Sequence, residues 1–212
     1  MAQIKKTEVR DAILEAAAQL FAASDYNRAT LPKIAAAAGI STSTVYVYFK
    51  SKLEIAIAVY EPWLREQLVR VEHVLAGIED PRERLRLLLK RVWQDIPSER
   101  NCFANNIIQA ISTSVPEDGY RPSILTMLRS KIASMIYASL PAQSRSLDRC
   151  ERFAHVVVMA FDGFVINQHL PPNLACEDET IDLFCDAILQ AAPASHGTVR
   201  RDRDSSLRTG KA

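Results

Sequence analysis

The chain has 212 residues, enough for one large or two small domains with a real core, and its 48% hydrophobic, 24% charged composition is that of an ordinary globular protein. No apolar run reaches the roughly 18 residues of a membrane span, and the polar-then-amphipathic opening MAQIKKTEVRDAILEAAAQLF is not a secretory signal, so a cytoplasmic location is expected. The net charge of +1 is unevenly spread: residues 1–60 hold seven Lys/Arg against five Asp/Glu, residues 61–192 fourteen against eighteen, and residues 193–212 five against two. A mildly basic head on an acidic body permits nucleic-acid binding without establishing it. Cys102, Cys150, Cys176 and Cys185 form no C-x-x-C pair and have no histidine at zinc spacing, so they read as small core residues with free thiols.

The first segment, TEVRDAILEAAAQLFAAS, is an amphipathic helix with Thr7 as its expected cap and Val9, Ile13, Ala16, Ala17, Leu20 and Phe21 on one side. A short second helix follows in TLPKIAAAAG. Thr30 is its N-cap candidate, Pro32 falls in the first turn, and Gly39 stops it in the left-handed region. The next stretch, STSTVYVYFKSK, carries β-branched and aromatic residues of strong strand propensity. Ser41 is nevertheless a good N-cap, and Ile40 against Val45 has the spacing of a hydrophobic staple. A helix begun there turns Thr42, Ser43, Tyr46 and Val47 outward. Two helices joined by a short turn containing Gly39 form a helix-turn-helix.

Beyond Lys52 the pattern stays helical. A long helix from Ser51 to about Leu75 contains Pro62, which is expected to kink it near residues 58–62. Helices are then expected over 82–96, 101–114, 123–140, 147–169 and 177–191, with Pro171 and Pro172 separating the last two. The tail, residues 193–212, is polar and lacks apolar periodicity, so it is expected to be disordered.

The stretch AILEAAAQLFAASDYNRATLPKIAAAAGISTSTVYVYFKSKLEI resembles the DNA-binding domain of the TetR family of transcriptional regulators over residues 9–57, about a quarter of the chain. The resemblance rests on an A-I-L-x-A-A-x-x-L-F first helix, a Thr opening the second, I-A-x-x-A-G-I-S at the turn, and T-V-Y-x-Y-F-x-S-K at the exit. Two positions depart from the family, which often has Gly where Ser24-Asp25 stand and Gly at Ser43. Asp25 is a residue that caps or tolerates a left-handed turn. Ser43 instead puts a side chain on the face expected to enter the groove. The resemblance implies an all-α protein of about nine helices. Residues 1–52 would form the helix-turn-helix DNA-binding domain and residues 53–192 a ligand-binding and dimerisation domain.

A recognition helix needs small or hydrogen-bonding side chains in its first turns, so that its backbone can approach base edges. Thr42, Ser43 and Thr44 meet that need, and Tyr46 stands one turn beyond Thr42. Tyr48 and Lys52 flank the groove, and Thr30 and Lys33 are further phosphate candidates. The resemblance implies DNA contact at Thr44, Tyr46, Tyr48 and Lys52. The plainer alternative is that the tyrosines cover a core while Lys52 is a solvated charge. Val45 and Phe49 are assigned to the core.

In the body, Trp63, Trp93, Phe103, Met127, Tyr137 and Phe161 are candidate pocket residues, with Asn106, Gln109 and Asp162 as polar groups among them. Each is also the kind of residue that fills a core. His155 and Asp162 are seven apart and share a helix face, with His155 read as a satisfied core histidine. The helix FAHVVVMAFDGFVINQHL is apolar on more than one side, and Gly163 inside it suits close helix approach. The resemblance implies a homodimer through helices 147–169 and 177–191.

The expected function is that of a DNA-binding regulator, a repressor released from a palindromic operator in double-stranded DNA by a small, mostly apolar effector. The alternative is a helical adaptor that binds protein. No phosphate-binding glycine loop, nucleophile elbow or metal signature is present, so no enzyme activity, cofactor or metal is expected.

Overall fold

The computed structural model of the protein describes residues 2–115, 123–167 and 175–190, which form nine α-helices and no strand. Helix α1, Ala2–Ser24, begins ahead of Thr7 because nothing in Ala2–Lys6 breaks a helix, so Thr7 lies within it instead of capping it. Its buried stripe, Ile13, Ala16, Ala17 and Phe21, is the one the 3.6-residue period selects. Asp25 then takes a φ of 91°, and its carboxylate accepts from the Arg28 backbone N–H at 3.0 Å, a local bond that holds the turn without glycine. Tyr26 is buried behind that turn against the Phe21 ring, 5.7 Å between centroids.

Helix α2, Leu31–Ala37, starts at Thr30, whose hydroxyl accepts from Lys33 N. Gly39, with φ 69°, makes the left-handed turn that ends it. Helix α3, Thr42–Tyr48, starts at Ser41, whose hydroxyl accepts from Thr44 N at 3.1 Å. The strand-like residues are therefore helical until Phe49, which turns extended at φ −137°. With only seven residues, tertiary packing decides: Val45 and Phe49 are buried, and the described residues offer no strand edge to pair with.

Helix α4, Lys52–Ala76, is capped by Ser51, and Glu54 reaches back to accept from Lys50 N at 2.6 Å. Pro62 lies inside it, and the helix runs on to Ala76. Its buried side chains pass from Leu53 and Ala56 in the head to Leu64, Leu68 and Leu75 in the body, so one element spans both.

The body follows as α5 (Pro81–Lys90, continued by a π-helical turn over Arg91–Asp95), α6 (Phe103–Ser112), α7 (Ser123–Ser139), α8 (Leu147–Asn167) and α9 (Asp178–Gln190). Helix α7 packs along α8, and α5 along α9. Arg82 and Arg86 on α5 form a ladder of ion pairs with Asp178, Asp182 and Asp186 on α9. The π-turn positions Trp93, which is buried and donates its indole N–H to the Val157 carbonyl at 2.9 Å between the Phe164 and Phe184 rings. All four cysteines are free. Among the described residues no helix is long and apolar enough to cross a membrane. The tail and the Pro171-Pro172 break expected from the sequence lie outside the described residues.

Candidate nucleic-acid interface and ligand cavity

The outward face of α3 is polar and aromatic. Ser43 is exposed, Tyr46 and Val47 are 57% and 75% exposed, and Thr42, Thr44 and Tyr48 are half-buried. The Ser41 hydroxyl lies 2.8 Å from that of Ser43 and 2.7 Å from that of Thr44, so three hydroxyls cluster where the helix begins. Each hydroxyl both donates and accepts, which lets the cluster reorient toward either kind of base edge. Thr30 uses an acceptor lone pair on the backbone and keeps its hydrogen to donate. Lys33 is exposed at the same corner, its ammonium donating to the Arg28 carbonyl at 3.0 Å.

Lys52 is not the solvated charge of the plainer alternative. Its ammonium donates to the Tyr26 carbonyl at 2.8 Å and stands 4.0 Å from the centre of the Tyr26 ring. Burial lowers its pKa, with nearby Asp25 opposing the shift. The residue ties the start of α4 to the α1–α2 turn, and two of its three N–H donors remain for another acceptor. Arg28, which the sequence reading passed over, has a 77% exposed side chain at the same turn; its place in a loop gave no periodic signal.

In the body, an apolar cavity of about 630 Å³, including its open mouth, lies between α4, α6, α7 and α8. Leu64, Phe103, Ile107, Ile111, Leu128 and Phe161 are among its walls, with Ser112 and Asp162 as polar groups. Of the nine expected ligand residues, Phe103, Phe161 and Asp162 line it. Trp63 stands behind the wall, its ring 4.8 Å from Phe103. Trp93 is a core residue, because its indole N–H and both ring neighbours belong to the α5–α8–α9 packing. Met127 and Tyr137 are half-buried on α7 away from this cavity, and Arg145 lies over the Tyr137 ring at 5.3 Å. The sequence reading missed Ile107, Ile108 and Ile111, whose spacing along α6 is that of any core stripe.

Asn106 and Gln109 belong to the joint between body and head. Asn106 is fully buried and donates to the Phe21 carbonyl of α1 at 3.1 Å and to the Tyr60 hydroxyl at 2.8 Å. The Gln109 side-chain oxygen accepts from Asn27 N at 3.1 Å. Helix α6 thus lines the cavity with its aliphatic side chains and holds the α1–α2 corner with its amides. His155 is exposed, which corrects its expected place in the core, and it makes no bond to Asp162 among the described residues.

Residues 13–59 match the family described as bacterial regulatory proteins, tetR family. The fatty acid metabolism regulator protein of Bacillus subtilis (strain 168) is 27% identical over 89 residues, 42% of this chain and 46% of that protein. The HTH-type transcriptional activator FasR of Mycolicibacterium smegmatis is 33% identical over 110 residues, 50% of each chain. The chain therefore spans about half the length of the curated relatives it matches. The structure of the transcriptional regulator FadR from Bacillus subtilis, solved in complex with stearoyl-CoA, shares the fold at a TM-score of 0.58, covering 84% of this chain and 97% of that one at 17% identity. With the helix-turn-helix in register and its caps formed as the motif requires, residues 13–59 carry the DNA-binding head of the tetR family of bacterial regulatory proteins, and the helical body shares its fold with the FadR structure.

Proposed function

We propose that the protein is a one-component transcriptional repressor, released from a palindromic operator by a small, mostly apolar effector. The observation that carries the reading is the double role of α6. It forms a wall of the apolar cavity through Phe103, Ile107 and Ile111, and its Asn106 is hydrogen-bonded to α1 of the head. An effector that favours one arrangement of α6 therefore biases the head, and a coupling of about 1–3 kcal/mol suffices for regulation. Helix α4 offers a second route, with Pro62 as a hinge between the Leu53 and Leu68 ends.

On the DNA side, Thr42, Ser43, Thr44 and Tyr46 would read the major groove, with Thr30, Lys33, Tyr48 and Lys52 on flanking phosphates. One seven-residue helix supplies little affinity, while two heads about 34 Å apart read successive half-sites. The second head would come from a dimer through α8 and α9. Val156, Met159 and Ile166 on α8 and Leu183 on α9 are exposed large apolar residues, a stripe a lone protomer leaves wet. Gly163 lies in the same stripe, and a Cβ there would meet nothing within 4 Å among the described residues, which leaves room for the close approach of a partner helix. A repressor acting on operator DNA works in the cytoplasm.

The fatty-acid regulators among the relatives, and the stearoyl-CoA in one similar structure, support an effector with a long apolar part. A gel shift with the DNA upstream of the protein's own gene tests the reading. Nanomolar, strongly salt-dependent binding to a palindrome supports it. Weak, sequence-blind binding would leave the helical adaptor.

A further inference from the structure

Asp162 is the feature of the cavity that a purely apolar ligand leaves unexplained. It stands on α8 and is the one ionisable side chain among the described cavity walls, which otherwise carry only the hydroxyl of Ser112 as a polar side-chain group. Leu64 of α4, Phe103, Ile107 and Ile111 of α6 and Leu128 of α7 offer it neither charge nor hydrogen bond. Among the described residues, Asp162 makes no hydrogen bond or ion pair with the protein. On its other side it shares with Leu125 the wall of a second, open cavity of about 730 Å³, where Arg129 and His155 stand without pairing to it. A half-buried carboxylate against aliphatic walls is costly, and burial raises its pKa. A protein that needed only a greasy slot would do better with Asn or Leu at this position.

We infer that Asp162 is a specificity-determining residue, selecting an effector that joins an apolar chain or ring system to a cationic amine. The inference rests on the effector reading above and narrows it. An ammonium bound at Asp162 gains a charge partner beside apolar walls, and the apolar remainder covers Phe103, Ile107 and Leu128. A carboxylate or phosphate in the same place would face Asp162 with no cation among the described walls of this cavity to offset the repulsion. The cavity is thereby biased against acyl anions, in contrast to the acyl-CoA held by the structurally similar FadR.

Calorimetric titration of the full chain with octylamine, octanol and octanoate at pH 7 separates the possibilities, since the three share one chain and differ in head-group charge. We expect octylamine to bind at least tenfold tighter than octanol, and octanoate weakest. Asp162→Asn should cost octylamine about tenfold while leaving octanol within twofold, and Leu128→Trp, which fills the cavity, should weaken both. Octanoate binding as tightly as octylamine, or an amine preference that survives Asp162→Asn, overturns the inference and leaves the effector reading standing. If none of the three binds, the effector reading fails and takes the inference with it.

Discussion

Asn106 and Tyr60 share a 2.8 Å hydrogen bond where the body meets the head, with the amide of Asn106 donating to the phenol. Tyr60 passes a hydrogen on to the Asn101 carbonyl at 3.3 Å, and the second Asn106 N–H goes to the Phe21 carbonyl. Three helices, α1, α4 and α6, are joined by this short relay, and burial holds the Tyr60 phenol well above its ordinary pKa. Asn106→Ala removes both donors from a buried site but also removes an oxygen that has no partner among the described residues, so the net cost should be about 1–3 kcal/mol. Tyr60→Phe keeps the bond to Phe21 and should cost about 1 kcal/mol, and the double variant should lose less than the sum. Urea unfolding measures all three. An Asn106→Ala loss below about 0.5 kcal/mol would show that the relay holds nothing.

The same relay separates two routes from cavity to head. If α6 carries the signal, Asn106→Ala should reduce effector-induced release from the operator several-fold while Pro62→Ala changes it little. The reverse pattern would give the role to the Pro62 hinge. Couplings of about 0.5–2 kcal/mol per residue are the scale to look for.

The lock of Lys52 onto Tyr26 can be separated from the phosphate contact proposed for it. Lys52→Met keeps most of the apolar stem over the Tyr26 ring but loses the ammonium. The expected result is a loss of head stability of about 1 kcal/mol together with a drop in the salt slope of operator binding by about one. Fluorescence anisotropy at several salt concentrations, beside a thermal melt, reads both. An unchanged slope with a lowered Tm would make Lys52 a packing residue alone.

What could be read from the sequence is set by the range of the interactions involved. Thr30, Ser41 and Ser51 cap their helices through bonds three residues away, and Gly39 ends α2 by its own backbone, so all four are visible in a local window. Even Thr44–Tyr48, strand-like by propensity, resolves as helix once Ser41 and Gly39 are read with it. Trp93 is the opposite case. Its role is fixed by Val157, Phe164 and Phe184, 64 or more positions away, and nothing near it tells a core indole from a ligand-facing one. The aliphatic cavity walls were hidden for a related reason, because Ile107 and Ile111 look the same in sequence whether the space before them is filled or empty. Lys52 shows the limit from the polar side, since its partner is a backbone carbonyl and carbonyls leave no trace in sequence.

The exposed stripe on α8 and α9 predicts an assembly. Ile166→Glu and Leu183→Glu each put a charge onto a face that dimerisation would bury, and both positions are more than half exposed in the protomer, so its own core is undisturbed. Each variant should run as a monomer in light scattering with its helical circular dichroism intact. Operator affinity should fall by roughly 10²-fold or more, because the second half-site is no longer tethered to the first. A Leu183→Glu protein that stays dimeric would move the interface elsewhere.

Asp162 also makes a prediction about the protein without effector. Its carboxyl has its folded-state pKa raised by burial, so the folded chain binds its proton more tightly than the unfolded chain does. Stability from this group is greatest below the ordinary carboxyl pKa of about 3.9 and is lost as pH rises through the raised folded value. Among the described residues, Arg129 and His155 line the groove beside Asp162 without pairing to it, and the helices facing it across the cavity bring only apolar groups and Ser112. Asp162→Asn should therefore raise Tm at pH 7, with ~2–4 °C expected for each 1 kcal/mol relieved in a chain of this size. The gap between variant and wild type should narrow as pH falls towards 4, and the wild type should recover it at pH 7 when a binding amine is added. A variant that melts lower than wild type at pH 7 would mean that Asp162 has a stabilising partner in the folded protein, and the charge would then belong to the architecture of α8 instead of to the effector.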